Sequence, residues 1–188
     1  MKKTLPIILA ALLALASCAP KTDRAVTEFA QLREHLAAAA NVTATAAVTA
    51  DYGERVFDFR IKYQGADGAG EITILAPESL LGITARVADN AGTLKFDGAA
   101  LDTGSLGDGI SPAGIIPRLL AEWRSGFPDS LSLVTTGGRA ELVMRSALTA
   151  DARQTTRFDL SSRLPVRTEI TSAGRVILTV VFENVTLT

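Results

Sequence analysis

The nine residues Arg55-Val56-Phe57-Asp58-Phe59-Arg60-Ile61-Lys62-Tyr63 alternate in polarity. Phe57, Phe59, Ile61 and Tyr63 fall on one side of an extended chain, and Asp58, Arg60 and Lys62 fall on the other. Successive side chains of a strand point to opposite faces, so this pattern belongs to an antiparallel sheet with one face buried and one in water. The same period continues on both sides. Upstream, strand character begins at Val42. Downstream, Gly65 to Gly70 reads as a flexible turn, and Glu71–Ala76, Ile83–Asp89 and Thr93–Asp97 continue a meander, with Asn90-Ala91-Gly92 as a tight connection and Pro77 to Gly82 as a wider loop.

A second set of strands repeats the style over Leu131–Thr136, Arg139–Ala147, Arg153–Ser161, Val166–Ser172 and Arg175–Leu187, punctuated by Gly137-Gly138 and Ala173-Gly174. About ten strands are predicted, enough for a strongly curved sheet. In the last of them Val176, Leu178, Val180 and Phe182 share one side while Ile177 and Val181 occupy the other, which predicts cover on both faces.

Two segments have helical rather than strand period. Thr22 or Asp23 is placed to cap a helix running to about Ala40, with Val26, Phe29, Leu32 and Leu36 as its apolar stripe, His35 beside that stripe and Asn41 as a stop. Between the two strand sets, Ser111 reads as an N-cap with Pro112 in the first helical position, and Gly126 ends the element. Pro117 is expected to kink or divide it. Ile115, Ile116, Leu119, Leu120 and Trp123 give this insert a wide apolar face, which must cover apolar sheet surface. The expected fold class is therefore α+β: a curved antiparallel sheet whose concave side is capped by an N-terminal helix and a helical lid.

The first eighteen residues have a different character. Lys2 and Lys3 precede an apolar run from Leu5 to Leu15, too short to span a bilayer, and the run ends in Leu15-Ala16-Ser17-Cys18. Residue types, order and distance from the N-terminus resemble the bacterial lipobox; the alternative is an ordinary secretory signal with a cysteine at the cut. On the first reading residues 1–17 are a lipoprotein signal peptide, 18–21 a lipidated N-terminus and short tether, and 22–188 one domain. Acyl chains on Cys18 would then hold the chain on the extracytoplasmic face of a bacterial membrane.

Composition narrows the chemistry further. The 188 residues carry 19 basic and 20 acidic side chains with one histidine and one cysteine; loss of residues 1–17 removes two lysines and leaves a net charge of −3. No concentrated basic surface suited to nucleic acid is present. With Cys18 acylated no free thiol remains, and a single histidine removes most zinc sites and imidazole relays. Gly109-Ile110-Ser111-Pro112-Ala113 comes close to a nucleophile elbow but ends in alanine, and Ser111 is better read as a helix cap. Asp97, Asp102 and Asp108 lack the ligand spacing of a calcium loop and read as turn formers. An enzyme is not expected, nor is any cofactor or metal.

Several short motifs recur in a known order: Tyr52 and Phe57, Pro77-Glu78 followed by Gly82-Ile83, Phe96-Asp97-Gly98, Ser111-Pro112, Leu164-Pro165, and Val181-Phe182-Glu183-Asn184. With the signal, helix, hairpins, insert and final hairpins, this order resembles the LolA/LolB lipoprotein-carrier superfamily across essentially the whole mature chain. Cys18 makes it closer in kind to the anchored LolB or to mycobacterial lipid-carrier lipoproteins than to the soluble carrier. The resemblance implies an open half-barrel with a helical lid and an apolar cavity for acyl chains, of a lipid or of a lipoprotein.

The residues by themselves place Phe57, Phe59, Ile61, Ile83, Val87, Leu94 and Phe96 on a concave sheet under Leu119 and Trp123. Such a face is either filled by its own side chains or holds a ligand. The resulting expectation is a monomeric envelope lipoprotein that binds an acyl-bearing ligand, for carriage or sensing. The alternative is an envelope protein-interaction or signal-sensor module using the same fold without lipid transport.

Overall fold

The structure is a computed structural model and describes residues 21–51, 53–66, 69–88, 91–96, 99–105, 110, 112 and 114–188, the side chains of 21–23, 88, 91–96 and 99–105 excepted. Residues 1–17, Cys18, Tyr52, Ser111, Asp97, Asp108 and the side chains of Leu94 and Phe96 therefore lie outside the described residues. The chain runs α1 (Lys21–Ala38), β1 (Val42–Asp51), β2 (Val56–Ala66), β3 (Ala69–Ala76), a single 3-10 turn (Glu78–Leu80), β4 (Thr84–Ala88), β5 (Ala91–Phe96) and β6 (Ala99–Ser105). It continues with α2 (Ile115–Ser125), β7 (Ser130–Thr136), β8 (Arg139–Ala147), β9 (Ala152–Asp159), β10 (Leu164–Ser172) and β11 (Arg175–Leu187).

The expected α+β class holds, with one curved, unclosed antiparallel sheet. Its strand order is β6-β5-β4-β3-β2-β1-β11-β10-β9-β8-β7, so each half is a simple meander and the halves meet where the first strand pairs with the last. Asn41 and Thr188 close that junction by exchanging backbone hydrogen bonds of 2.6 and 3.0 Å. The sheet holds eleven described strands rather than ten; the additional one is β6. Asp102 lies within it, opposite Thr93, and not in a turn. Small residues, an aspartate and a glycine in Ala99-Ala100-Leu101-Asp102-Thr103-Gly104-Ser105 mask the strand in the sequence, whereas pairing with β5 supplies hydrogen bonds that no local propensity requires.

Both helices pack against one face, here called inner. On α1 the buried stripe is Ala25, Phe29, Leu32 and Leu36, while Val26 is 52% exposed. Thr22 and Asp23 lie within the described helix, which stops at Ala38, two residues early. On α2 the N-cap position is Gly114, and Pro112 lies in the turn before it rather than in the first helical position. Pro117 does not divide this helix. It is the third helical residue, where the backbone N–H lacks an intrahelical partner in any case. Ile115, Ile116, Leu119, Leu120 and Trp123 are all buried, as their spacing predicts.

Cover on both faces does not fall on β11. There Leu178 and Val180 are buried on the inner side, and Val181 on the outer side is 36% exposed. The strand buried on both faces is β8, where Glu141, Leu142, Val143 and Met144 are all inside. Its outer side is closed by polar neighbours: Arg157 donates to Glu141 at 3.2 Å and stands opposite Val143 in the β8–β9 register. A long arginine stem covers apolar surface while its guanidinium stays wet, which alternation of polarity cannot reveal.

The turn from β2 to β3 rests on two glycines. Gly65 and Gly70 are paired across the strands, and the ring of Tyr63 lies over both. A Cβ on Gly65 would sit 2.1 Å from the Tyr63 hydroxyl and 2.6 Å from the Ala69 carbonyl oxygen. Because one of these neighbours is backbone, Gly65→Ala is expected to cost about 1–3 kcal/mol, the ordinary range for overpacking. Urea unfolding checks this, and a loss under about 0.5 kcal/mol, the scale of a neutral surface change, would show that the ring turns aside freely.

Candidate functional site

The inner face can be followed in register. Phe59 stands opposite Val48, and the row continues through Val180, Thr168, Thr156 and Met144 to Leu131, crossing seven strands. One step along, Phe57 leads through Ala50, Leu178, Ile170 and Gln154 to Ser146. β1 contributes Ala44, Ala46 and Ala50, short side chains that let the helices come close.

Trp123 stands over the middle of this surface, with no exposed area. Its ring meets Phe158 edge-on at 5.2 Å and Phe182 at 5.7 Å. Its indole N–H donates to Thr156 Oγ1 at 3.2 Å, and Thr156 shares a 2.9 Å hydrogen bond with Thr168. Next to them Gln154 donates to Ser146 at 2.7 Å, with its Oε1 unpartnered among the described residues. Sequence reading passed over this polar row. The period-two run Ala152, Gln154, Thr156, Phe158 held the signal, since burying Phe158 places the other three on the same face.

The helices are held to each other by two arginines. Arg33 of α1 donates to the carbonyls of Trp123, at 3.3 Å, and Gly126 at the end of α2. Arg124 of α2 donates to Leu36 at 3.1 Å and Ala39 at 3.0 Å at the end of α1. Each guanidinium thus satisfies the orphan carbonyls of the other helix and places positive charge at its negative end. Arg118 at the start of α2 reaches the Leu148 carbonyl at 2.7 Å, fixing that end to the β8–β9 turn.

Helical cover is uneven along the sheet. On β2, Tyr63 and Ile61 are 3% and 2% exposed, Phe59 is half-buried, and Phe57 is 42% exposed, stacked on Phe59 at 6.3 Å. The inner face therefore runs from closed to open toward the β1–β2 turn. Beside that end lies a cleft of about 340 Å³, lined by Ala50, Ile110, Ala173, Ile177 and Leu178, with Asp51 and Arg175 paired at 3.1 Å on its edge. Exposed Val56 at the start of β2, Leu81 between β3 and β4, and Val176 at the start of β11 lie at the same end of the sheet.

Of the residues singled out from sequence, Ile61, Leu119 and Trp123 come together in one buried cluster, with Phe59 packed against it. Phe57 extends this surface into the open. Ile83 is half-buried just ahead of β4, its backbone bonded to Ile74 and Leu80. Val87 is buried, opposite Gly70, outside the cluster that holds Trp123. Leu94 stands opposite Ala85 and Leu101 in β5, and Phe96 opposite Ala99. His35 is exposed on α1.

No family model matches the chain, and no curated protein does. Among solved structures it is similar to a DUF1329 family protein from Desulfovibrio piger, at 9% identity over 90% of this chain and 94% of that one, with a TM-score of 0.49. A LolA superfamily protein from Nitrosomonas europaea is 10% identical over 87% and 93%, with a TM-score of 0.46. Lipoprotein LppX from Mycobacterium tuberculosis is 13% identical over 86% and 94%, with a TM-score of 0.44. The structures to which this chain is similar thus include LolA-superfamily proteins and lipoproteins.

Proposed function

We propose that this protein is a lipoprotein, anchored by acylated Cys18 on the outer side of a bacterial membrane, that takes an acyl-bearing ligand on the open end of its inner face. The observation that carries the reading is the gradient along β2, where an apolar row continues past its helical cover to Phe57. Phe57, Phe59 and Ile83 form the open side of such a site, backed by the buried interior that holds Leu119 and Trp123. Burial of a hydrocarbon chain supplies affinity without catalysis, at about 25 cal/mol for each Å² removed from water.

The test is native mass spectrometry followed by lipid extraction, on the chain beginning at Ala19 so that no anchor lipid contributes. Near-stoichiometric acyl species are expected. Phe57→Asp, at a partly exposed position and compared with the unsubstituted chain at equal folded fraction, is expected to lower occupancy about ten-fold, since it replaces apolar contact with a charge. A folded protein that carries no lipid and takes none from vesicles refutes the reading and leaves the protein-interaction module.

A further inference from the structure

At the end of the inner face opposite the open cleft, where β2 runs into the β2–β3 turn, a separate cavity of about 210 Å³ lies under α2. Its walls are mostly apolar, from Val42, Ala66, Pro117 and Leu120, and its polar side is made by Tyr63, Arg124 and Ser125, whose hydroxyl donates to the Ala121 carbonyl. Tyr63 is only 3% exposed, and its hydroxyl, still reached by solvent, has no hydrogen-bond partner among the described residues. Arg124 uses Nε and Nη2 on the carbonyls of α1, and its Nη1 has no partner among those residues. None of the described lining residues is acidic. Burial raises the Tyr63 pKa, partly offset by the Arg124 charge, so the phenol keeps its proton and is available as a donor.

We propose that this cavity is a binding site for a small amphipathic carboxylate, whose anionic end is held by Tyr63 Oη–H and Arg124 and whose short alkyl part lies against Val42, Ala66, Pro117 and Leu120. A phenol hydroxyl and a guanidinium nitrogen that both lack partners among the described residues at one apolar-walled cavity can donate together to an arriving acceptor, and a carboxylate offers lone pairs to both. Apolar walls select against bare inorganic anions, which would lose hydration there without return. The site stands apart from the open cleft and does not depend on its occupant.

Hexanoate titrated into the full chain in mild detergent, followed by calorimetry and by the fluorescence of Trp123, tests this. Trp123 is the sole tryptophan and adjoins Arg124. Saturable binding is expected, with hexanol at least about ten-fold weaker, because it cannot pair with the guanidinium. Tyr63→Phe keeps the ring that packs on Gly65 and Gly70, removes only the donor, and is expected to weaken hexanoate about ten-fold with unchanged unfolding. Arg124→Gln is the second variant, read together with its stability because Arg124 also caps α1. The proposal is overturned by absence of binding, by hexanol binding as well as hexanoate, by inorganic phosphate binding equally, or by Tyr63→Phe leaving hexanoate affinity unchanged.

Discussion

Trp123→Ala is expected to remove about 3–5 kcal/mol of folding stability, the range for truncating a large buried aromatic side chain. The indole has no exposed area and closes the interior between α2 and the sheet, with Phe158 and Phe182 edge-on at 5.2 and 5.7 Å. Such ring pairs contribute beyond area burial, so the loss lies toward the upper part of the range. Removal of the indole also takes a donor from Thr156, though Thr168 remains as its partner. Trp123→Phe keeps much of the apolar volume and is expected to cost about half as much. Denaturant unfolding at equilibrium measures both. A loss below about 1 kcal/mol for the alanine variant would mean that this helix is a loosely seated cover and not part of the core.

The second large effect concerns the arginines that cap each other's helix. Arg33→Ala leaves the Trp123 and Gly126 carbonyls without their donor, and Arg124→Ala does the same to Leu36 and Ala39. Hydrogen bonds from a charged donor are worth more than neutral ones, and each substitution is expected to cost about 2–3 kcal/mol. Arg33 adds cation–π contact with Phe29, 4.6 Å from the ring centroid, so its loss is the larger. Lysine does not restore either site, because one ammonium cannot reproduce a planar fork aimed at two separate carbonyls. The double variant is expected to lose less than the sum of the singles, since both clasps hold the same pair of helices. A double-mutant cycle in urea decides it. Single losses under about 0.5 kcal/mol would place these contacts among solvent-compensated surface bonds.

These two clusters show what local pattern could and could not convey. The alternation Phe57, Phe59, Ile61, Tyr63 is a property of nine consecutive residues, and it predicted both the strand and the inner face. The same holds for the buried face of α2, from Ile115 to Trp123, because 3.6-residue spacing survives any change in what the helix packs against. Gly137-Gly138 was equally legible: both residues have positive φ, 57° and 80°, as a two-residue hairpin between paired Thr136 and Arg139 requires. On α1 the stripe was read one residue out, with Val26 in place of Ala25, since hydrophobicity favours the larger side chain and close packing needs the smaller. The helix boundary and the N-cap of α2 moved for a similar reason. Gly114 supplies the turn, and Arg33 and Arg124 satisfy the carbonyl ends from a distance of more than eighty residues along the chain.

The sequence by itself thus determined the α+β class, the strand meanders, both helices and the apolar row that carries the proposed site, because each follows from the period of side chains along a few residues. Only the tertiary structure decided that β6 is a strand, that β8 and not β11 is closed on both faces, that cover ends before Phe57, and that Tyr63 meets Arg124 across a cavity. These depend on register and on which long side chain folds over which neighbour. Contacts between residues far apart in the chain leave no periodic trace in it.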